Sequence, residues 1–424
     1  MVLTLIVFLL TVIMLIVSIL FFPKIKIGKC NIDSFWIVSM LGAFALIAFQ
    51  KIDFSEISLR LFANTSINPV KILVLFICMS FLSIYLDELG FFKYMANLAQ
   101  KGAKNSQKSI FIYLYIITSI LTIFTSNDII ILTFTPFICQ FAKQAKINPI
   151  PYLISEFVAA NSWSIILVIG NPTNIYLATM FNITFFEYLK VMILPGMVAG
   201  LSSFIIIYLL FKKELRKPMV KQDMHIKIKD KFVVIIGLVH LLLCTALLAI
   251  ANYIHLKMWL ITFAFAISLI INVLIYSLIK KRKQTVLSKT IKRLPWNIIP
   301  FILSMFVIVA TLEKYDITKK ISDILGEDNV IAKYGISSFL FSNVINNIPM
   351  SVTFSSILQY LQGASLIKGV YATIISSNIG AYFTPLGSLA GIMWINILKK
   401  EQVEMNFLTF IKNNIFISLG SLTL

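Results

Sequence analysis

Charge is scarce in this chain. Of 424 residues only 13% are Asp, Glu, Lys or Arg, 59% are hydrophobic, and the mean hydropathy is +0.91. An ordinary soluble domain carries about a quarter charged residues, and a soluble fold of this size needs more polar surface than this composition supplies. A cytosolic enzyme, a secreted disulfide scaffold and a disordered linker are thereby excluded. Histidine is scarcer still: His225, His240 and His255 are too scattered for the spacing of a metallohydrolase. The four cysteines, Cys30, Cys78, Cys139 and Cys244, lie far apart without a CxxC pair. They indicate neither a disulfide framework nor a zinc site and read as buried, inert thiols. No GxxxxGK[ST] motif occurs, so nucleotide-driven work would need a separate ATPase docked on a basic loop. Acidic residues are few as well, 18 against 37 Lys and Arg, which leaves a net charge of +19. Cytoplasmic loops of membrane proteins collect Lys and Arg. The excess is therefore read as topology, with the lipid bilayer as partner and no nucleic acid.

What is present in abundance is apolar runs. A bilayer core needs about 20 apolar residues per helix, and Val2 to Phe22 meets that length, followed by Lys24, Lys26 and Lys29. It lacks a basic n-region and a cleavage site, and reads as a first span with its N-terminus outside. Simple spans follow at about 32–50 and 68–89, separated by a weakly charged loop. Residues 108–143 are apolar but interrupted at Thr125-Ser126-Asn127-Asp128, with lysines on both flanks. Like-charged flanks fit a hairpin that enters the membrane and returns. Its polar tip is tolerable there only where protein or a water-filled cavity satisfies the backbone. A longer segment, about 150–185, is broken at Gly170-Asn171-Pro172-Thr173-Asn174, and a plain span follows at about 188–211. The linker 212–230 is the most basic stretch of the chain.

After that linker the pattern starts again. Spans fall at about 231–252, 256–280 and 295–312, with a basic loop at 281–294. A second hairpin occupies about 330–362, with Ser342-Asn343 and Asn346-Asn347-Ile348-Pro349 at its centre. A second broken segment, about 366–398, is interrupted at Ser376-Ser377-Asn378-Ile379-Gly380 and Thr384-Pro385-Leu386-Gly387-Ser388, and a last span covers about 405–422. Residues 1–211 and 231–424 thus read as one unit inserted twice in opposite directions, both basic loops lying in the cytoplasm. Spacing agrees: Asn127 and Asn161 are 34 positions apart, Asn343 and Asn378 are 35. The fold class expected is an all-α polytopic membrane protein of two inverted-topology repeats, the architecture of secondary transporters.

The polar interruptions are the candidate site. Unwound carbonyls can ligate a small cation, and half-helix N-termini offer N–H groups to an anion. Ser, Thr and Asn supply neutral ligands, while Gly170, Pro172, Pro349, Gly380 and Pro385 supply the breaks. Asp128 is an ionisable group at membrane depth, able to neutralise a cation, carry a proton or cap the returning helix. Glu156 is assigned a solvated or capping role, and Asp87 and Glu88 an interfacial one.

At these residues the chain resembles a known family. Ser126-Asn127-Asp128 with Thr135-Pro136, Ala159-Ala160-Asn161-Ser162 leading to Gly170-Asn171-Pro172-Thr173-Asn174-Ile175, Asn346-Asn347-Ile348-Pro349, and Thr384-Pro385-Leu386-Gly387-Ser388-Leu389-Ala390 with Trp394 look like the arsenite permease branch of the ion transporter superfamily. That superfamily also holds sodium-coupled dicarboxylate and citrate carriers and sodium/proton antiporters. The resemblance implies a scaffold part, a moving transport part, a homodimer and an elevator-like shift. Arsenite-type members often carry carboxylates where this chain has Asn161 and Asn378. Dicarboxylate carriers carry Ser-Asn-Thr at both tips, of which Ser126-Asn127 and Ser342-Asn343 remain here.

The function expected is secondary transport of a small anion across the cytoplasmic membrane, coupled to sodium or protons. No resident cofactor is expected, with sodium as a candidate coupling ion. A sodium/proton antiporter and an anion channel are the alternatives, and an enzyme is not expected. Ligands are expected from Ser126, Asn127, Asp128, Ser342, Asn343, Asn346 and Asn347 at the tips. The breaks would add Asn161, Ser162, Asn171, Thr173, Asn174, Ser377, Asn378, Thr384, Gly387 and Ser388.

Overall fold

The computed structural model describes residues 1–22, 24–27, 30–62, 68–102, 106–220, 228, 230–251, 253–281 and 285–424. Lys29, Lys104, His225 and parts of the basic stretches 212–230 and 281–294 lie outside the described residues. The first half runs α1 (Val2–Phe21), β1 (Lys24–Ile27), β2 (Cys30–Asp33), α2 (Ser34–Ala48), α3 (Phe54–Phe62), α4 (Pro69–Glu88), α5 (Phe91–Gly102), α6 (Gln107–Phe124), α7 (Asn127–Ala145), α8 (Ile150–Trp163), a 3-10 turn (Val168–Gly170), α9 (Pro172–Met180) and α10 (Phe185–Phe211). The second runs α11 (Lys231–Ile250), α12 (Met258–Lys280), α13 (Thr285–Arg293), α14 (Ile298–Lys314), α15 (Ile317–Leu325), α16 (Val330–Ile345), α17 (Asn347–Leu358), α18 (Gly363–Gly380), a 3-10 turn (Pro385–Gly387), α19 (Leu389–Lys400) and α20 (Phe407–Thr423).

Helix for helix, α1–α10 correspond to α11–α20. Packing follows the same exchange: α2 lies on α14 as α12 lies on α4, α6 on α8 as α16 on α18, and α7 on α19 as α17 on α9. The departure from an all-helical chain is the antiparallel pair β1–β2, whose first strand, KIKI, alternates charged and apolar residues at the period of a strand.

Solvent preference runs inside out. α10, α11 and α12 expose apolar side chains such as Leu194, Leu209, Phe232 and Leu242 along their outer faces, whereas every residue of α17 is buried. Among the described residues seven helical segments are long and apolar enough to cross a bilayer, including α1, α4, α10, α11 and α12. α2, with 15 residues, reaches only about 22 Å at 1.5 Å per residue.

Four short helices replace stretches that read as loops or flanks. In α3 the sequence FSEISLRLF places Phe54, Ile57 and Leu61 on one face and Glu56 and Arg60 on another. It reaches into the other half: Arg60 bonds Glu313 at 2.8 Å and Glu56 bonds Lys314 at 2.8 Å, both at the end of α14. Its counterpart α13 returns the contact to the end of α4, where Arg293 bonds Asp87 at 2.7 Å and Glu88 at 2.5 Å. Each half therefore clasps the third span of the other. Asp87 is 8% exposed, so Arg293→Ala strands a buried carboxylate. This should cost about 1–3 kcal/mol, less than a fully buried pair because Arg293 is partly solvated, and thermal unfolding in detergent reads the loss. At the other clasp the hydrogen bond from Lys314 holds the Glu56 carboxyl below its usual 4.5. That contribution is complete above 4.5 and is lost as the pH falls through the lowered value.

Candidate functional site

Both broken helices stop at a turn that only glycine fits. A Cβ on Gly170 would lie 2.4 Å from the Ser164 carbonyl oxygen, and one on Gly387 would lie 2.3 Å from that of Gly380. Pro172 and Pro385 then open the following α and 3-10 segments at positions that need no N–H donor. Asn171 caps α9 by accepting from Thr173 N at 3.0 Å, and Ser388 caps α19 by accepting from Gly391 N at 3.1 Å.

The two breaks meet at Asn378, a fully buried residue near the end of α18. Its Nδ2 donates to Asn174 Oδ1 at 2.7 Å and to its own helix at Ile374 O, 2.8 Å. Its Oδ1 accepts from Asn171 Nδ2 at 2.9 Å and from Ser164 Oγ at 3.1 Å. All four hydrogen-bonding positions of the amide are thereby used, and three of them reach the first half. Ser164 Oγ shares its single proton between Asn378 Oδ1 and Asn161 O, the latter at 2.8 Å, and Asn161 Oδ1 accepts from Asn127 Nδ2 at 3.0 Å. A neutral amide network thus runs from the first hairpin tip through both helix breaks.

The second tip docks beside it. Asn343 Oδ1 accepts from Thr384 N at 3.1 Å and Thr384 Oγ1 at 2.7 Å. Asn346 joins α16 to α17 at φ +77, a conformation that costs a non-glycine residue energy. It is held there by donating to Leu386 O at 3.1 Å and accepting from Ile348 N at 3.4 Å. Pro349 sits in the first turn of α17. Gly380 admits the tip: a Cβ there would meet Ser342 Oγ at 2.3 Å.

Asn127 and Asn347 are the first residues of the returning helices α7 and α17. The structure therefore pairs Asn127 with Asn347, not with Asn343, which lies on the entering helix α16. Asp128 occupies the first turn of α7, where a negative charge suits the helix dipole, and its N–H donates to Asn127 Oδ1. With Ser126 it lines a cavity of about 250 Å³ bounded by Asp33, Ser80, Arg293, Asn297 and Leu389. Pro385 and Leu386 border a larger one of about 770 Å³. The hydroxyls of Ser126 and Thr173 and Oδ1 of Asn347 are buried without a partner among the described residues.

Some expected ligands stay out of the network. Ser162 Oγ donates to Val158 O, and Ser377 Oγ to Ile374 O, each back onto its own helix. Ser342 Oγ likewise donates to Phe339 O. One participant, Ser164, escaped the sequence reading, and one buried acid outside the network, Glu156, was misplaced by it. Ser164 lies one residue past the end of α8, a position that only the coordinates distinguish from Ser162. Glu156 is neither solvated nor a cap: it is 1% exposed on α8. Thr135 Oγ1 lies 3.2 Å from both its oxygens, and Trp394 Nε1 donates to Oε2 at 3.3 Å.

Comparison with known proteins agrees with this architecture. The fold resembles the crystal structure of the YdaH transporter of Alcanivorax borkumensis, with a TM-score of 0.58 at 13% identity, covering 100% of this chain and 95% of that one. By sequence the chain is similar to the arsenical pump membrane protein of Escherichia coli (strain K12), 25% identical over 365 residues, and to that of Yersinia enterocolitica, 23% identical over 363 residues. Each of these alignments covers 81% of this chain and 82% of the relative. The family model described as citrate transporter matches residues 2–369. This multi-pass membrane protein, with its two hairpin tips and two helix breaks gathered around Asn378, belongs to the citrate transporter family.

Proposed function

We propose that the protein is a secondary active transporter that carries a small anion, an oxyanion or a carboxylate, across the cytoplasmic membrane by alternating access coupled to sodium or protons. The observation that carries this reading is the convergence of two helix breaks and two hairpin tips on one buried network of neutral amides. Neutral ligands suit a site that must bind and release an ion without trapping it. The starts of α7, α9, α17 and α19 supply positive dipole ends for an anion. The unpaired hydroxyls of Ser126 and Thr173 and the Asn347 carbonyl suit an incoming ligand, since buried polar groups are costly when left unpaired. The citrate transporter family and the arsenical pump relatives favour carboxylates and arsenite as first substrates to test.

In this reading residues 1–211 and 231–424 are oppositely inserted units, with the N-terminus outside and the loops 212–230 and 281–294 cytoplasmic. α6–α9 and α16–α19 move together against α1, α2, α4, α11, α12 and α14, within a homodimer. Asn127→Ala with Asn343→Ala should abolish flux in proteoliposomes while membrane insertion stays intact. Wild-type rates in that double variant would sink the site assignment. An imposed sodium or proton gradient separates the transporter from an anion channel, which would pass current on the electrical driving force alone.

A further inference from the structure

Glu156 has no place in the amide network, yet it is a carboxyl buried at membrane depth, five residues before Asn161 on α8. Burying a charge without a partner is among the costliest arrangements a protein can hold. No cation pairs with it among the described residues; its recorded contacts are Thr135 and Trp394. Buried titratable groups on the elements packed around it are Tyr115 on α6, Cys139 on α7, Tyr152 on α8, Tyr188 on α10 and Tyr371 on α18. Asp128 sits in the first turn of α7, Tyr208 is half-buried on α10, Glu401 follows α19, and Lys108, Tyr113, Glu187, Lys190 and Lys368 are exposed. The hydroxyls of Tyr115, Tyr188 and Tyr371 are engaged with Gly200 O, Ile165 O and Glu187 O. Lys143, Lys399, Lys400 and Lys412, on α7, α19 and α20, are exposed.

The hydrogen bonds around Glu156 decide the form it takes. Thr135 has one hydroxyl proton, and its shortest contact is the Ile131 carbonyl at 2.6 Å, against 3.2 Å to each Glu156 oxygen. A proton given to Ile131 leaves Thr135 Oγ1 as an acceptor. The Glu156 carboxyl then satisfies it as a donor, and Trp394 N–H satisfies the other carboxyl oxygen. An ionised Glu156 would instead keep a single firm donor for two charged oxygens.

The fold itself does not require an acid here. Counting from the ends of α8 and α18, Glu156 corresponds to Thr373, and Thr135 corresponds to Ser355. The corresponding positions in the second half are neutral, and the Thr373 hydroxyl is buried without a partner among the described residues.

We propose that Glu156 is a proton-carrying site of the transport cycle, protonated in this conformation and donating to Thr135 Oγ1. This rests on the transporter reading above and makes the proton a coupling ion. When water reaches the carboxyl, its O–H bond breaks, the proton passes to water as hydronium, and the carboxylate remains. Thr135 then turns its hydroxyl from Ile131 to the carboxylate, beside Trp394 N–H.

The test begins with infrared difference spectra of the purified protein between two buffers that both lie above the ordinary carboxylate range, about pH 6.5 and about pH 10. Wild type should show a protonated-carboxyl C=O band that titrates, Glu156→Gln should lack it, and Asp128→Asn should keep it. Gln reproduces the shape and hydrogen bonds of the neutral acid, so this variant should fold. No titrating band in wild type, or one that survives Glu156→Gln, overturns the proposal. In proteoliposomes loaded with arsenite or citrate, one coupled proton gives about tenfold accumulation per unit of imposed pH gradient. Glu156→Gln should keep exchange but lose that accumulation, and a retained gradient response overturns the proposal. Should wild type move neither probe, the transporter reading fails for those anions while the infrared result still decides the proton site.

Discussion

Asn378→Ala should reduce transport by about 30-fold or more without preventing membrane insertion. The amide of Asn378 holds Asn171, Asn174 and Ser164 of the opposite half at 2.9, 2.7 and 3.1 Å. Alanine removes all three bonds at once from a fully buried site. Asn171 Nδ2 and Asn174 Oδ1 lose their partners, at about 1–3 kcal/mol each. A sum of about 2–6 kcal/mol corresponds to ~30-fold to ~10⁴-fold in an equilibrium or rate that needs the intact geometry. Asn378→Ser, which keeps a hydroxyl, should lie between wild type and alanine. Flux in proteoliposomes measures the loss, and size-exclusion elution in detergent verifies folding. Ser377→Ala is the matching control: its hydroxyl bonds only its own helix, so flux should stay within about twofold.

The second large effect is steric. In Gly387→Ala the new methyl would lie 2.3 Å from the Gly380 carbonyl oxygen and 3.0 Å from the Ala381 Cα. Both neighbours are backbone, so no rotamer change relieves the clash. The 3-10 turn must shift instead, carrying the Thr384 contacts to Asn343 with it. Flux should fall below about a tenth of wild type, since an ångström of misplacement at a functional site is worth roughly two orders of magnitude. Gly170→Ala should behave alike, because its methyl would meet the Ser164 carbonyl at 2.4 Å. Gly380→Ala is the informative contrast. Its closest contact is a side chain, Ser342 Oγ, so adding Ser342→Ala should restore part of the flux. Equal loss in single and double variants would show that the tip does not dock on Gly380.

The membrane class, the two hairpins, the two breaks and their order were legible in the sequence because each leaves a mark in hydropathy. An apolar run interrupted by Asn, Gly and Pro is costly in lipid and cannot pass for a plain span. Register was less legible. The spacings of 34 and 35 pointed to Asn343 as the counterpart of Asn127, yet the structure assigns Asn347. The entering helices end differently, two residues joining α6 to α7 and Asn346 alone joining α16 to α17. The clasps of Arg60 and Arg293 were hidden because nine-residue helices are too short for their periodicity to stand out. Glu156 was misread because burial is a tertiary property. In sequence it sits in an apolar run near a helix start, and the approach of Thr135 from α7 and Trp394 from α19 encloses it. Ser162, Ser164 and Ser377 look alike in a motif, but a hydroxyl inside a helix turns back on its own carbonyls, whereas Ser164, just beyond α8, also reaches Asn378.

One experiment bears on all of this together: uptake of labelled arsenite and citrate into proteoliposomes holding wild type or Asn378→Ala, under imposed sodium and proton gradients. The site around Asn378 predicts saturable, gradient-dependent uptake of at least one anion by wild type and uptake at the protein-free level in the variant. Gradient-dependent uptake that Asn378→Ala leaves unchanged, or wild-type vesicles indistinguishable from empty ones for both anions, would contradict it.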